Sequence, residues 1–254
     1  MPDYGRARER MVDIQIARRG VRDARVLEAI RQVPREEFVD PGFEGYAYDD
    51  GPLPIGAHQT ISQPYMVALM AAAAELKPGD RVLEVGAGSG YAAAVLSRIA
   101  ARVYGIERHA QLVDAAQRRL QKLEYKNVEL RVGDGTRGWP EAAPFDAILV
   151  AAGGPEVPTT LKEELTIGGR LIIPVGLRFH QTLRKITRLS ATEYGKEDLG
   201  AVAFVPLIGA EGWAEEGRRS ASNPEPARAR GKTLPDMIGD TGAPLPDLDE
   251  DSPA

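Results

Sequence analysis

The stretch Arg81-Val82-Leu83-Glu84-Val85-Gly86-Ala87-Gly88-Ser89-Gly90-Tyr91-Ala92-Ala93-Ala94-Val95-Leu96 runs from a short apolar, β-branched segment through three alternate glycines into a helical pattern. A strand, a tight glycine loop and a helix in that order form the opening unit of an α/β sheet, and such sheets bind ligands beyond the carboxyl ends of their strands. Working downstream, short runs suited to strands recur at Val103–Ile106, Val128–Val132, Ala147–Val150 and Arg170–Val175. Between the first three strands lie helical faces, Val95, Leu96 and Ile99 and then Leu112, Val113, Ala116 and Leu120. Crossovers of that length imply parallel pairing. After Pro174 no comparable helix follows. Two further runs, Leu183–Leu189 and Ala201–Val205, joined by a turn-rich Tyr194 to Gly200, predict an edge hairpin. The reading is a doubly wound α/β fold with seven strands, mostly parallel.

Upstream, Val26, Ile30 and Val33 share one helical face, and Met66, Leu69, Met70 and Ala73 share another. Between them, Asp40 to Pro64 is rich in Gly and Pro and is expected to be irregular backbone at the surface or over a site. Residues 1–10 read as a flexible lead-in and 11–216 as the catalytic domain. From Gly217 the chain is Pro-rich and poor in aliphatic residues, so 217–254 reads as a disordered tail.

Composition narrows the function classes. With 254 residues, 43% of them hydrophobic, the chain has material for a substantial core. No stretch approaches the ~20 apolar residues of a membrane span, and the N-terminal arginines lead into no signal-type apolar run. There is no cysteine, hence no disulfide, thiol nucleophile or thiolate metal site; a cytoplasmic location is expected. Removing the six acids of Asp236–Ala254 from the net charge of −5 leaves +1 for the rest. A near-neutral body gives no basic face for nucleic acid.

Three acidic or glycine-rich positions mark a candidate ligand site. Glu84 ends the first strand ahead of Gly86, Gly88 and Gly90, whose backbone freedom permits a tight turn and close ligand approach, with free N–H groups at the helix start expected to favour a carboxylate. Glu107 ends the second strand, placed to accept hydrogen bonds from ribose hydroxyls. After the third strand, Asp134 between Gly133 and Gly135 is a candidate partner for an adenine amino group. A dinucleotide fingerprint needs its third glycine one place later, where Tyr91 stands, and no P-loop lysine follows. The G-x-G-x-G spacing fits S-adenosylmethionine better. His58, His109 and His180 have no metal-ligand spacing, so no metal is expected.

The segment Leu53-Pro54-Ile55-Gly56-Ala57-His58-Gln59-Thr60-Ile61-Ser62-Gln63-Pro64 resembles the signature of protein-L-isoaspartate O-methyltransferases. In order with it come Glu84 to Gly90, Gly133–Gly135, Pro155–Pro158, Gly168–Gly176 and Phe204–Leu207, so the resemblance spans Met11 to Trp213. It implies a Rossmann-like class I methyltransferase with N-terminal helices. The implied reaction is methyl transfer from S-adenosyl-L-methionine, leaving S-adenosyl-L-homocysteine, to the free α-carboxylate of L-isoaspartyl or D-aspartyl residues in age-damaged proteins. By position it makes Ser62 the catalytic residue and places Thr60, Ile61, Ser62, Val205, Pro206 and Leu207 along the peptide. It also implies a monomer.

Taken alone, Ser62 before a Pro-started helix reads as an N-cap, and Trp213 as an anchor closing the domain. Gly153-Gly154, where the family pattern has Ala or Pro, is expected to loosen the acceptor-side loop. Two other functions remain open on the residues. One is methylation of normal aspartate in a dedicated peptide; the other is a catalytically inactive cofactor-binding module. Ala151-Ala152-Gly153-Gly154 lacks the Asn/Asp-Pro-Pro-aromatic clamp that nucleic-acid amine methylation needs.

Overall fold

The computed structural model describes residues 3–215. Its centre is a seven-stranded sheet. Strands β3 (Arg81–Val85), β4 (Arg102–Glu107), β5 (Val128–Val132), β6 (Phe145–Val150) and β7 (Leu165–Leu177) are parallel, while β8 (His180–Arg188) and β9 (Tyr194–Val202) add an antiparallel edge. The spatial order is β5-β4-β3-β6-β7-β8-β9. Because β3 pairs with β4 on one side and β6 on the other, the chain reverses its direction of travel across the sheet at β3. That reversal opens a crevice at the carboxyl ends, where the ligand loop lies.

The strands are apolar on both faces. Along β6, Ala147 and Leu149 point into one core cluster and Ile148 and Val150 into the other. The first cluster gathers the N-terminal helices with α4 (Tyr91–Ser97) and α5 (Ala110–Lys122); the second packs Trp139, Phe145, Leu161 and Leu207. Burial on both faces is what continuous Val/Ile/Leu runs in parallel strands require.

Four local expectations are revised. Residues 4–10 of the expected flexible lead-in form α1 (Tyr4–Arg10), capped by Asp3, which accepts from Arg6 N, with Tyr4 and Ala7 packed against the core. Tyr194–Gly200 is strand rather than turn: β9 starts there, and the reversal falls at Ser190–Glu193, where Leu189 N donates to Glu193 O. Phe204–Leu207 therefore leaves the hairpin as a separate segment. Helix α3 (Pro64–Ala73) buries Val67, Ala68, Met70 and Ala71 rather than a Met66/Leu69/Met70/Ala73 stripe, because it is apolar all round and tertiary packing decides its orientation. The Asp40–Pro64 loop is not wholly irregular, since it carries the hairpin β1 (Leu53–Pro54) and β2 (Thr60–Ile61), paired Leu53↔Ile61 and Pro54↔Thr60. The disordered-tail reading of 217–254 lies outside the described residues.

Leu83 sits fully buried on the central strand. Leu83→Ala is expected to lower the unfolding free energy by about 2–5 kcal/mol, read as a shifted urea midpoint with an unchanged slope.

Candidate active site

A cleft opens at the carboxyl ends of β3, β4 and β6. Its floor is Glu84 to Ser89; Glu107 and Arg108 flank it at the end of β4, and Ala151 and Ala152 at the end of β6. Thr60, Ile61 and Ser62 form one wall, and Val205, Pro206 and Leu207 the other. Segments far apart in the chain thus meet in one concavity.

Positive φ at Gly86 (88°) and Gly88 (51°) lets the loop fold back under the cleft. Its amides are already used: Gly86 N and Ala87 N donate to Ile106 O at 2.8 and 3.2 Å, and Gly88 N to Glu107 Oε2 at 3.1 Å. These loop amides are thus spent on β4; the helix-start N–H groups expected to favour a carboxylate belong to α4, which begins at Tyr91. Gly90 does not line the cleft. It is the N-cap of α4 at φ 84°, and a Cβ there would lie 3.2 Å from Ala116 Cβ, so its role is to let α4 approach α5.

Glu107 accepts from Gly88 N and, at 3.0 Å, from His109 N, which fixes its carboxylate at the cleft edge with further acceptor capacity. Glu84 is buried, and its Oε2 has no partner. Burial, reinforced by the charge of Glu107, pushes its carboxyl up to about 8. The Ala93 N–H meets this carboxyl from the start of α4, and the oxygen left without a partner, Oε2, suits a ligand that brings its own positive charge. Asp134 lies apart: Gly133 and Gly135 line the cleft, while the Asp134 carboxylate accepts from Thr136 N (2.9 Å), Thr136 Oγ1 (2.7 Å) and Ala210 N (2.8 Å). Against the upward push of partial burial, these bonds hold its carboxyl below the usual range. Its observed work is tying Gly209–Glu211 to the sheet.

Ser62 is not an N-cap. That position belongs to Gln63, and no side chain caps α3. Arg35, which composition and spacing do not single out, holds Ser62 in place. Fully buried, it donates Nε to Ala47 O at 2.7 Å and Nη2 to Ser62 O at 2.8 Å, and its guanidinium lies 4.8 Å from the ring centroid of Tyr91, the residue that follows the glycine loop. One cation links the Ser62 wall to the floor.

Gly153-Gly154 tightens the opposite wall instead of loosening it. Gly153 N donates to Val205 O (2.7 Å), Gly153 O accepts from Leu207 N (2.9 Å) and Trp213 Nε1 (3.0 Å), and Gly154 N donates to Pro174 O (3.1 Å). A Cβ on Gly153 would lie 2.7 Å from the Gln181 side chain, and one on Gly154 2.9 Å from Glu156 O. The Gln181 side chain could move aside for a Cβ at 153, whereas at 154 the backbone itself would have to shift.

Residues 6–212 match the family model of protein-L-isoaspartate(D-aspartate) O-methyltransferase. The chain belongs to this family. Protein-L-isoaspartate O-methyltransferases of Brucella anthropi and Methylorubrum extorquens are 54% and 57% identical to it, each over 85% of this chain and over 99% and 94% of their own lengths. A solved protein-L-isoaspartate O-methyltransferase structure superposes with a TM-score of 0.74 at 32% identity, covering 81% of this chain and 67% of its own. A Plasmodium falciparum structure described in the same terms and solved with S-adenosyl-L-homocysteine superposes at 0.69 with 29% identity, covering 79% and 98%. The Rossmann-like class I methyltransferase fold is thereby established, with S-adenosylmethionine as the family's methyl donor. Among the described residues no cluster of acids and histidines suits a metal, and no helix is long and apolar enough to cross a membrane.

Arg35→Met is expected to lower kcat and raise the acceptor-peptide KM, by about tenfold or more in kcat/KM, through displacement of Ser62. S-adenosylhomocysteine affinity by calorimetry should stay within about threefold. Glu84 yields a prediction with a definite sign. Protonated in the folded state up to about pH 8 and ionised above the ordinary carboxylate range when unfolded, it makes stability fall as pH rises from about 4.5 to 8. Glu84→Gln should remove that component, so the variant gains on the wild type in denaturation midpoint between pH 5 and pH 8 while binding S-adenosylhomocysteine about 10- to 100-fold more weakly.

Proposed function

We propose that this chain methylates the free α-carboxylate of L-isoaspartyl, and of D-aspartyl, residues in damaged proteins, and so starts their repair. The ester formed collapses to a succinimide that reopens in part to normal aspartate. The observation that carries this reading is the one cleft that Thr60–Ser62, Val205–Leu207 and the Glu84–Ser89 loop line together. Family membership over residues 6–212 supports it.

The residues present fit S-adenosylmethionine. The unpartnered Oε2 of Glu84 is a seat for an ammonium group, the Glu107 carboxylate for ribose hydroxyls, and the side-chain-free surface of Gly86 and Gly88 for the chain between them. Gly135 allows close approach beside Val85, and the Asp134 carboxylate, which accepts from Ala210 N through Oδ2, keeps acceptor capacity for an adenine amino group. When bound, this group supplies an electrophilic methyl on a sulfonium.

An acceptor carboxylate with a pKa near 4 is already ionised at neutral pH, so no general base is needed. Alignment and exclusion of water carry the catalysis. Ser62 donates its hydroxyl to the acceptor carboxylate and holds one oxygen in line. Thr60, Ile61, Val205, Pro206 and Leu207 bind the polypeptide on either side of it. In this reading the chain acts as a monomer, and the cysteine-free sequence fits a cytoplasmic protein. Residues 11–216 are the catalytic domain in this reading.

Labelled methyl transfer to matched isoaspartyl and aspartyl peptides is the decisive assay. Transfer to the isoaspartyl peptide alone is expected, and equal rates or a preference for aspartate would sink the repair reading. Ser62→Ala should lower turnover about 10- to 100-fold, the value of one charge-assisted hydrogen bond, with S-adenosylhomocysteine affinity nearly unchanged. Unchanged turnover would remove Ser62 from the site.

A further inference from the structure

Beside the Val205–Leu207 wall, β7 and β8 meet in a two-residue turn, Arg178-Phe179, closed by the pair Leu177↔His180. The turn lies at the carboxyl end of β7, on the side of the sheet where the cleft opens. Leu177 is 73% exposed and Phe179 61% exposed. Phe179 has φ 64°, a backbone region that favours glycine or asparagine in tight hairpins and costs a bulky residue about 1–2 kcal/mol. An aromatic side chain held in solvent on strained backbone has no packing reason for being there, and such outliers concentrate at binding surfaces.

The turn is continuous with the acceptor wall. Arg178 lies 5.3 Å from the ring centroid of Trp213, whose Nε1 donates to Gly153 O, the same oxygen that accepts from Leu207 N. Alternation along β7 puts Leu177 on the face of Ile173 and Val175, which share a core cluster with Leu207. Gln181, next to the turn, clamps Phe204 by accepting from Phe204 N at 2.9 Å.

Resting on the repair reading above, we infer that Leu177 and Phe179 form an apolar docking platform for the polypeptide that carries the acceptor residue, contacting an aliphatic or aromatic side chain beyond the acceptor itself. A protein substrate enters the cleft through one residue only, so its flanking chain has to leave along a wall. The contacts that run from Leu207 through Gly153 and Trp213 to Arg178 mark the wall along which that flanking chain would pass. The platform thus selects among damaged sites by the side chains near them.

The test is the double variant Leu177→Ser/Phe179→Ser in the full chain. Both side chains are exposed, so folding should survive, and an unchanged melting temperature checks it. Three substrates are compared: an isoaspartyl tripeptide, an isoaspartyl peptide of roughly twelve residues with leucine and phenylalanine flanks, and the same length with glycine and serine flanks. The expected result is a KM for the apolar-flanked long peptide raised about 5- to 20-fold, with the other two substrates and S-adenosylhomocysteine affinity unchanged. Equal effects on all three substrates, or none, would overturn the platform. So would a change in molecular mass by light scattering, which would assign the patch to contact between copies. Failure of the wild type to methylate any isoaspartyl peptide would instead overturn the repair reading, and the platform with it.

Discussion

Parallel pairing of β3 with β4 on one edge and β6 on the other is the constraint on which the site depends. Backbone hydrogen bonds on both edges hold the strand in register, and burial on both faces leaves its side chains no freedom to slip. Where the neighbours part company, the glycine loop has nowhere to go but under the crevice. Its amides are then drawn to Ile106 O and Glu107, so loop shape is set by the second strand as much as by the glycines themselves.

Around that floor the walls of the cleft are held by unlike devices. On one side a buried guanidinium reaches two carbonyls and an aromatic ring, which a lysine could not do with one ammonium. On the other, two glycines let three backbone segments approach within hydrogen-bond distance, and Trp213 closes the arrangement with its indole N–H. Neither device is chemical in itself. Both fix the residues that line the cleft, as suits the proposed transfer, whose nucleophile is ionised before it binds.

The buried Glu84 carboxylate sits in tension with this rigidity. With its Oε2 unpartnered and its carboxyl raised by burial, it weakens the fold at the point where a cationic ligand group would satisfy it. Local instability of that kind is where binding free energy couples most strongly to stability.

The local pattern along the chain determined the strands from Arg81 to Val175, the glycine loop and the residues later found around one cleft, because period-2 and period-3.6 burial and glycine backbone freedom are written in neighbouring residues. The same neighbouring residues misplace β9, since Tyr194–Gly200 becomes a strand only by pairing with β8. Thr60–Ser62 and Val205–Leu207 were legible as a site through their resemblance to a family, not through periodicity. Only the tertiary structure decided that Arg35 carries Ser62, that Gly153-Gly154 tightens its wall, that Gly90 serves packing and that Asp134 is tied to Ala210. Each of these is a contact between residues distant in sequence, and which distant groups meet is settled by the packing of the whole sheet, which no single segment encodes.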